Sequence, residues 1–181
     1  MALDLVTETS SAPYAAPEKD LYEMGEIPPM GFVPKQMYAW AIRRERHGNP
    51  DTAMLQEVVD VPQLDSNDVL VLVMAAGVNY NGVWAALGQP ISPFDGHGQP
   101  YHIAGSDASG IVWAVGDRVK RWKVGDEVVV HCNQDDGDDE HCNGGDPMYS
   151  PTQRMLPRDK QAENAASIRM RARGWCLAGR A

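Results

Sequence analysis

Among the side chains of the kinds that hold transition metals, the second half of the chain offers His102, the adjacent pair His131-Cys132 and the adjacent pair His141-Cys142. Two His-Cys dipeptides bring enough nitrogen and sulfur donors for a tetrahedral zinc site. Consecutive side chains on an extended strand point to opposite faces, however, so each pair needs a local kink before both donors can meet one ion. The residues are therefore read as binding no metal. A cysteine nucleophile is disfavoured as well, because no third group is placed to orient it and Asp135, Asp136, Asp138 and Asp139 would raise a nearby thiol's pKa.

The carboxylates Asp107 and Asp126 each lie within two residues of a glycine, in strand-to-turn contexts where such groups accept backbone N–H bonds, so structural roles are expected. Gly77, Gly105, Gly110, Gly116 and Gly125 form no Gly-x-Gly-x-x-Gly after a strand, and no phosphate-binding Gly-x-x-x-x-Gly-Lys-Ser/Thr occurs. Two amides remain. Asn79 is expected to bond nearby peptide groups after a strand. Asn81 can cap a helix over 81–87, whose Val83, Trp84 and Leu87 share one side and which Gly88-Gln89-Pro90 stops.

The elements that must position these groups are mostly strands. Short apolar or alternating runs at 37–42, 54–61, 69–76, 108–115 and 127–131 are separated by turn-forming stretches. Before residue 36, five prolines and a Thr-Ser-Ser cluster predict an extended arm with at most one short helix near 19–24. Residues 135–140 are almost wholly acidic and read as a solvated loop. The expected fold class is mainly β with a few short helices, a partly open barrel rather than a bundle or doubly wound sheet.

Composition narrows the function classes. The 181 residues suit one domain with tails, and 43% hydrophobic residues suffice for a core. A net charge of -9 repels nucleic acid and anionic membrane surfaces, so neither is an expected partner. Within residues 155–181 six basic face two acidic residues, so the acidic excess lies before them. Three cysteines, no secretory signal pattern and no apolar run near the roughly 20 residues of a membrane span predict a cytoplasmic location.

Three segments, Ala76-Gly77-Val78-Asn79-Tyr80-Asn81, Gly105-Ser106-Asp107-Ala108-Ser109-Gly110 and Trp122-Lys123-Val124-Gly125-Asp126-Glu127-Val128, resemble in order the GroES-like domain of medium-chain dehydrogenases/reductases. The wording around them, Val78-Asn79-Tyr80-Asn81-Gly82-Val83-Trp84, Pro100-Tyr101-His102-Ile103, Val128-Val129-Val130-His131-Cys132 and Ser150-Pro151-Thr152-Gln153-Arg154, resembles the crotonyl-CoA carboxylase/reductase family over 20–154. The resemblance implies an enzyme that moves hydride from NADPH to the β-carbon of crotonyl-CoA and lets the enolate capture carbon dioxide, giving ethylmalonyl-CoA. It implies that Asn81 lies at the catalytic pocket, where an amide can donate to a developing carboxylate without a proton that would quench the enolate. Tyr80 and Trp84 become candidates to border the acyl-CoA cleft, against the alternative of core packing. Zinc-dependent relatives carry Gly-His-Glu where this chain has Gly105-Ser106-Asp107, so the resemblance implies no zinc.

After Arg154 the likeness stops, and an Arg- and Ala-rich tail replaces both the Trp-Gly-aromatic-Glu stretch and the Rossmann domain of that family. A deletion or shifted reading frame accounts for such a change. The expected organisation is an arm at 1–35, a GroES-like substrate-side domain at 36–154, and a divergent, disordered or non-native tail at 155–181 in which no strand is expected. No cofactor is expected on the chain alone, with acyl-CoA as substrate and, for assembly, a homo-oligomer or a Rossmann-containing partner chain. The competing reading is a stand-alone GroES-like module that binds a ligand or partner without catalysis.

Overall fold

A computed structural model of the chain describes residues 17–96, 98–130, 133–134, 139–146, 149–151, 154–155 and 174–178. Its centre is β3 (Val69–Ala75), whose first five residues, Val69 to Val73, are all buried. An unbroken apolar run of this kind satisfies a strand covered on both faces. Leu70 and Leu72 join one cluster with Met37, Ala39, Val59, Val61, Ile103 and Trp113. Val69, Val71 and Val73 join the other with Ala108, Val112 and Val130.

The first cluster is roofed by a three-stranded sheet of order β2-β1-β4, made of β1 (Gln36–Ile42), β2 (Leu55–Asp60) and β4 (His102–Ile103). In β1, Met37, Ala39 and Ala41 turn inward while Gln36, Tyr38 and Trp40 stay outside or half-covered, as a period of two requires. β3 itself belongs to a second sheet of order β6-β5-β3-β9, with β5 (Ala108–Val115), β6 (Glu127–Val130) and β9 (Gly174–Ala178). Gly110 lies where β5 crosses β3, and a Cβ there would sit 2.1 Å from the Leu72 carbonyl oxygen. Only a residue without a side chain permits that approach.

Neither sheet is hydrogen-bonded to the other among the described residues, so the barrel is open, in line with the mainly β fold read from the sequence. A separate two-stranded antiparallel sheet pairs β7 (Asn133–Gln134) with β8 (Arg154–Met155). β9 is a correction: no strand was expected beyond Arg154, yet Gly174–Ala178 pairs antiparallel with Val69–Val73. The pentapeptide Gly-Trp-Cys-Leu-Ala is too short to display a period, and the neighbouring edge of β3 supplies the pairing that its own pattern does not announce.

Helices are short. α1 (Pro50–Ala53) starts with Pro50 and is capped by Asn49, whose side chain accepts from the Asp51 N–H. α2 (Asn81–Leu87) ends at Gly88, whose φ of 66° is left-handed. Ile42, Ala53, Ala86, Phe94 and Ala104 form a third small core that seats α1 and α2 on the rim of the sheets. The His47 ring strengthens the seat through Ser92 Oγ at 2.9 Å and the Ala86 carbonyl at 3.1 Å.

α3 (Glu140–Gly144) corrects the end of the expected acidic loop. Asp139 accepts from the His141 N–H at 2.8 Å and from the Ser150 hydroxyl, so one carboxylate of the run caps a helix rather than facing only water. Residues 135–138 lie outside the described residues. The described part of the arm, 17–35, shows no helix; it is seated by Tyr22, which is buried, and by the Trp113 indole donating to the Phe32 carbonyl at 2.8 Å.

Candidate functional site

The chain leaves β3 at Ala75 and reaches α2 through residues 76–80, beside the loop 104–107 that precedes β5. None of the N–H groups of 76–80 donates to a backbone carbonyl among the described residues. Asn79 ties the two loops together instead. Its Oδ1 accepts the Asn81 N–H at 2.9 Å, and its Nδ2 donates to Asp107 Oδ2 at 2.5 Å and Ser106 Oγ at 3.3 Å. Gly77 lies against the same carboxylate, since a Cβ there would be 3.1 Å from the Asp107 Cβ.

Between these loops, α1 and β1 opens a cleft of about 380 Å³ walled by Trp40, Met54, Gly77, Asn79, Val83 and Gly105, among others. Ligand pockets commonly occupy about 300–1,000 Å³ and are lined mainly by apolar groups with a few polar ones, and this wall has that mixture. Asn79, Gly82 and Val83 form the wall on either side of Asn81, while Asn81, Tyr80 and Trp84 are not part of it.

Asn81 is exposed in the first turn of α2 and is not its cap; the capping position falls on Tyr80, with no capping side chain. The competing role that the sequence allowed for the Asn81 amide is thus taken by Asn79, whose expected bond to a nearby peptide group is present. Tyr80 and Trp84 are 64% and 47% exposed, which corrects the core alternative. Their rings meet edge to face with centroids 5.5 Å apart, an aromatic ledge on the outer side of α2. Asp126 accepts the Lys123 N–H at 3.0 Å, as its turn context predicts, whereas Asp107 accepts from a side chain 28 residues away.

An electrostatic cluster lies elsewhere, between β2 and the turn that follows β1, and sequence reasoning missed it. Glu57 accepts from Arg43 through Nε, at 3.2 and 3.1 Å, and through Nη2 at 2.5 Å, and from Arg46 at 2.6 Å. The Arg43 guanidinium, above all, holds the Glu57 carboxyl below its ordinary 4.5. Tyr101 nearby is pushed up by burial. Glu57 stands beside Ala39 in register, so the only sequence signal was an acidic residue in an apolar strand with arginines just past the adjoining strand's end.

Among the described residues no three His, Cys, Asp or Glu side chains gather as a metal site. His102 is buried, with its ring 6.4 Å from Phe94. His131 and Cys132 lie outside the described residues. His141 and Cys142 lie on α3, so the argument from opposite strand faces does not apply to them; successive helical positions are turned by about 100°. For NADPH the described residues do not fit. Every strand pairing among the described residues is antiparallel, so they do not form the parallel βαβ unit whose helix start receives a pyrophosphate. Among the described residues no helix is long and apolar enough to cross a membrane.

Residues 65–157 match the model of the alcohol dehydrogenase GroES-like domain. The crotonyl-CoA carboxylase/reductase of Cereibacter sphaeroides is 77% identical over 155 residues, which cover 86% of this chain and 36% of that protein. A solved crotonyl-CoA carboxylase/reductase superposes with a TM-score of 0.78 at 64% identity, over 89% of this chain and 36% of that one. A 2-octenoyl-CoA carboxylase reductase in complex with NADP and 2-octenoyl-CoA superposes with a TM-score of 0.68 at 31% identity, over 81% of this chain and 36% of its own. The chain thus spans little more than a third of the length of these relatives.

Proposed function

Because this chain belongs to the alcohol dehydrogenase GroES-like domain family, we propose that it supplies the acyl-CoA side of a crotonyl-CoA carboxylase/reductase, a cytoplasmic enzyme that forms ethylmalonyl-CoA. The observation that carries this reading is the 77% identity over 155 residues, a span that includes the bulk of the described fold. The cleft supports it physically: an apolar wall suits an acyl chain, and Asn79 and Gly105 place polar groups at its edge. The Asn81 side chain makes no hydrogen bond to a described residue, so its NH2 is available to donate to a carboxylate oxygen developing as the enolate carbon bonds carbon dioxide. Tyr80 and Trp84 offer a stacking surface at the rim for the acyl-CoA.

The hydride donor has no seat in the described fold, and no part of the transfer is assigned to these residues. A chain or segment carrying a nucleotide-binding fold must complete the site. Purified alone, the 181-residue protein is expected to leave NADPH unoxidised with crotonyl-CoA and bicarbonate; oxidation would overturn that. Exchanging residues 20–154 into the corresponding stretch of the Cereibacter sphaeroides relative is expected to retain ethylmalonyl-CoA formation. A folded but inactive hybrid that still binds crotonyl-CoA would instead favour a binding module without catalysis.

A further inference from the structure

We propose that Asn79 is a positioning residue for this reaction, holding the Asn81 amide beside the cleft, between the wall residues Asn79 and Gly82, through a clamp onto Asp107; the proposal rests on the carboxylase/reductase reading of the cleft. Both polar atoms of the Asn79 side chain are engaged. Oδ1 takes the Asn81 N–H at 2.9 Å, which fixes where α2 begins, and Nδ2 reaches Asp107 at 2.5 Å and Ser106 at 3.3 Å. The loop has little else to fix it, because residues 76–80 donate no backbone bond among the described residues and Tyr80, at the capping position of α2, makes no side-chain capping bond. A helix of seven residues is marginal by itself, so its starting point depends on tertiary contacts. Gly77 seats the same Asp107 carboxylate against the loop backbone, so one carboxylate registers both sides of the cleft mouth.

Loss of the clamp lets the first turn of α2 drift, and misplacement of a reacting group by about 1 Å can cost about a hundredfold in rate. The affected step is carbon–carbon bond formation, in which Asn81 would hold the incoming carboxylate. An enolate left unguided takes a proton at the same carbon and ends as butyryl-CoA. Asn79 thereby governs partition between two products as well as rate.

The test uses the whole enzyme in which residues 20–154 replace the corresponding stretch of the Cereibacter sphaeroides relative. Asn79→Asp keeps an acceptor for the Asn81 N–H, removes the donor and sets one carboxylate against another. It is expected to lower kcat about tenfold or more with little change in KM, and to shift product from ethylmalonyl-CoA toward butyryl-CoA, the same shift expected of Asn81→Ala. The reversed pair, Asn79→Asp with Asp107→Asn, restores a donor facing an acceptor and should recover much of both losses. Asn79→Ala should add little in an Asn81→Ala background, the sign that the two act as a unit.

An active hybrid in which Asn79→Asp lowers thermal stability but leaves kcat and product ratio unchanged would overturn the proposal, as would independent, additive effects of Asn79 and Asn81. An inactive hybrid without substitutions sinks the carboxylase/reductase reading instead. The clamp is then judged in the 181-residue chain by hydrogen exchange at the Asn81 amide: acceleration in Asn79→Ala sustains it, and unchanged slow exchange rejects it.

Discussion

The two ends of β3 are held by different physics. Val69–Val73 lies between two apolar clusters and is paired on both edges, so its place is set by burial of many equivalent groups. A few residues on, 76–81 is placed by one side-chain amide and one carboxylate. Burial is worth about 1.5–3 kcal/mol for each large apolar side chain and tolerates small errors of direction. A hydrogen bond contributes about 1 kcal/mol but fixes an angle. The scaffold therefore carries the stability and the loop carries the aim.

The sharpest way to break the packed end is Gly110→Ala, which would drive a methyl into the Leu72 carbonyl and part β5 from β3. A loss of about 3 kcal/mol or more is expected, read as the disappearance of a cooperative denaturant transition or a large fall in its midpoint. Unchanged stability would mean that the two strands are not in this register.

An intermediate effect belongs to the ionic cluster that ties the turn after β1 to β2. The Glu57 carboxyl has its pKa lowered, chiefly by the hydrogen bond from Arg43 and further by Arg46, so its contribution is fully present above its unfolded value near 4.5. It is lost as pH falls through the lower folded value. Glu57→Gln should cost about 1–3 kcal/mol at neutral pH and flatten the acid limb of stability measured by thermal unfolding against pH. An acid limb as steep as in the unsubstituted chain would place the titration elsewhere.

The smallest effect on folding is expected from Trp84→Ala, because this ring is half exposed on the rim. Stability should change by less than about 0.5 kcal/mol, while KM for crotonyl-CoA in the hybrid enzyme rises. A large stability loss would show that the aromatic ledge is structural after all.

The same contrast explains what was legible in the sequence. The strand over 108–115 and the helix over 81–87 coincide with the observed β5 and α2, and the run at 69–76 overshoots β3 by one residue, because hydrophobic period and a terminal Gly-x-Pro are local signals. Capping was one of two roles open to Asn81, because an amide at the head of an apolar stripe has that local meaning; the bond is made two residues earlier. Nothing local linked Asn79 to Asp107, 28 residues on, since that contact exists only once β3 and β5 have paired. The cleft residues Trp40, Pro50 and Met54 were likewise unreadable, drawn together by the fold from distant runs. β9 escaped for the same reason: its partner was visible, its own pattern was not.

The leading segment is gripped by side chains, with Tyr22, Pro28 and Pro34 buried and Glu23 accepting from the Tyr38 hydroxyl, and also by its main chain. The Asp20 carbonyl accepts the Gln36 N–H, the Lys35 carbonyl accepts the Val61 N–H, and the Phe32 carbonyl accepts the Trp113 indole. A grip on peptide groups is blind to side-chain identity. At these three points the stretch can therefore change side chains between homologues without losing the bond, whereas a change at Tyr22 would remove a buried anchor.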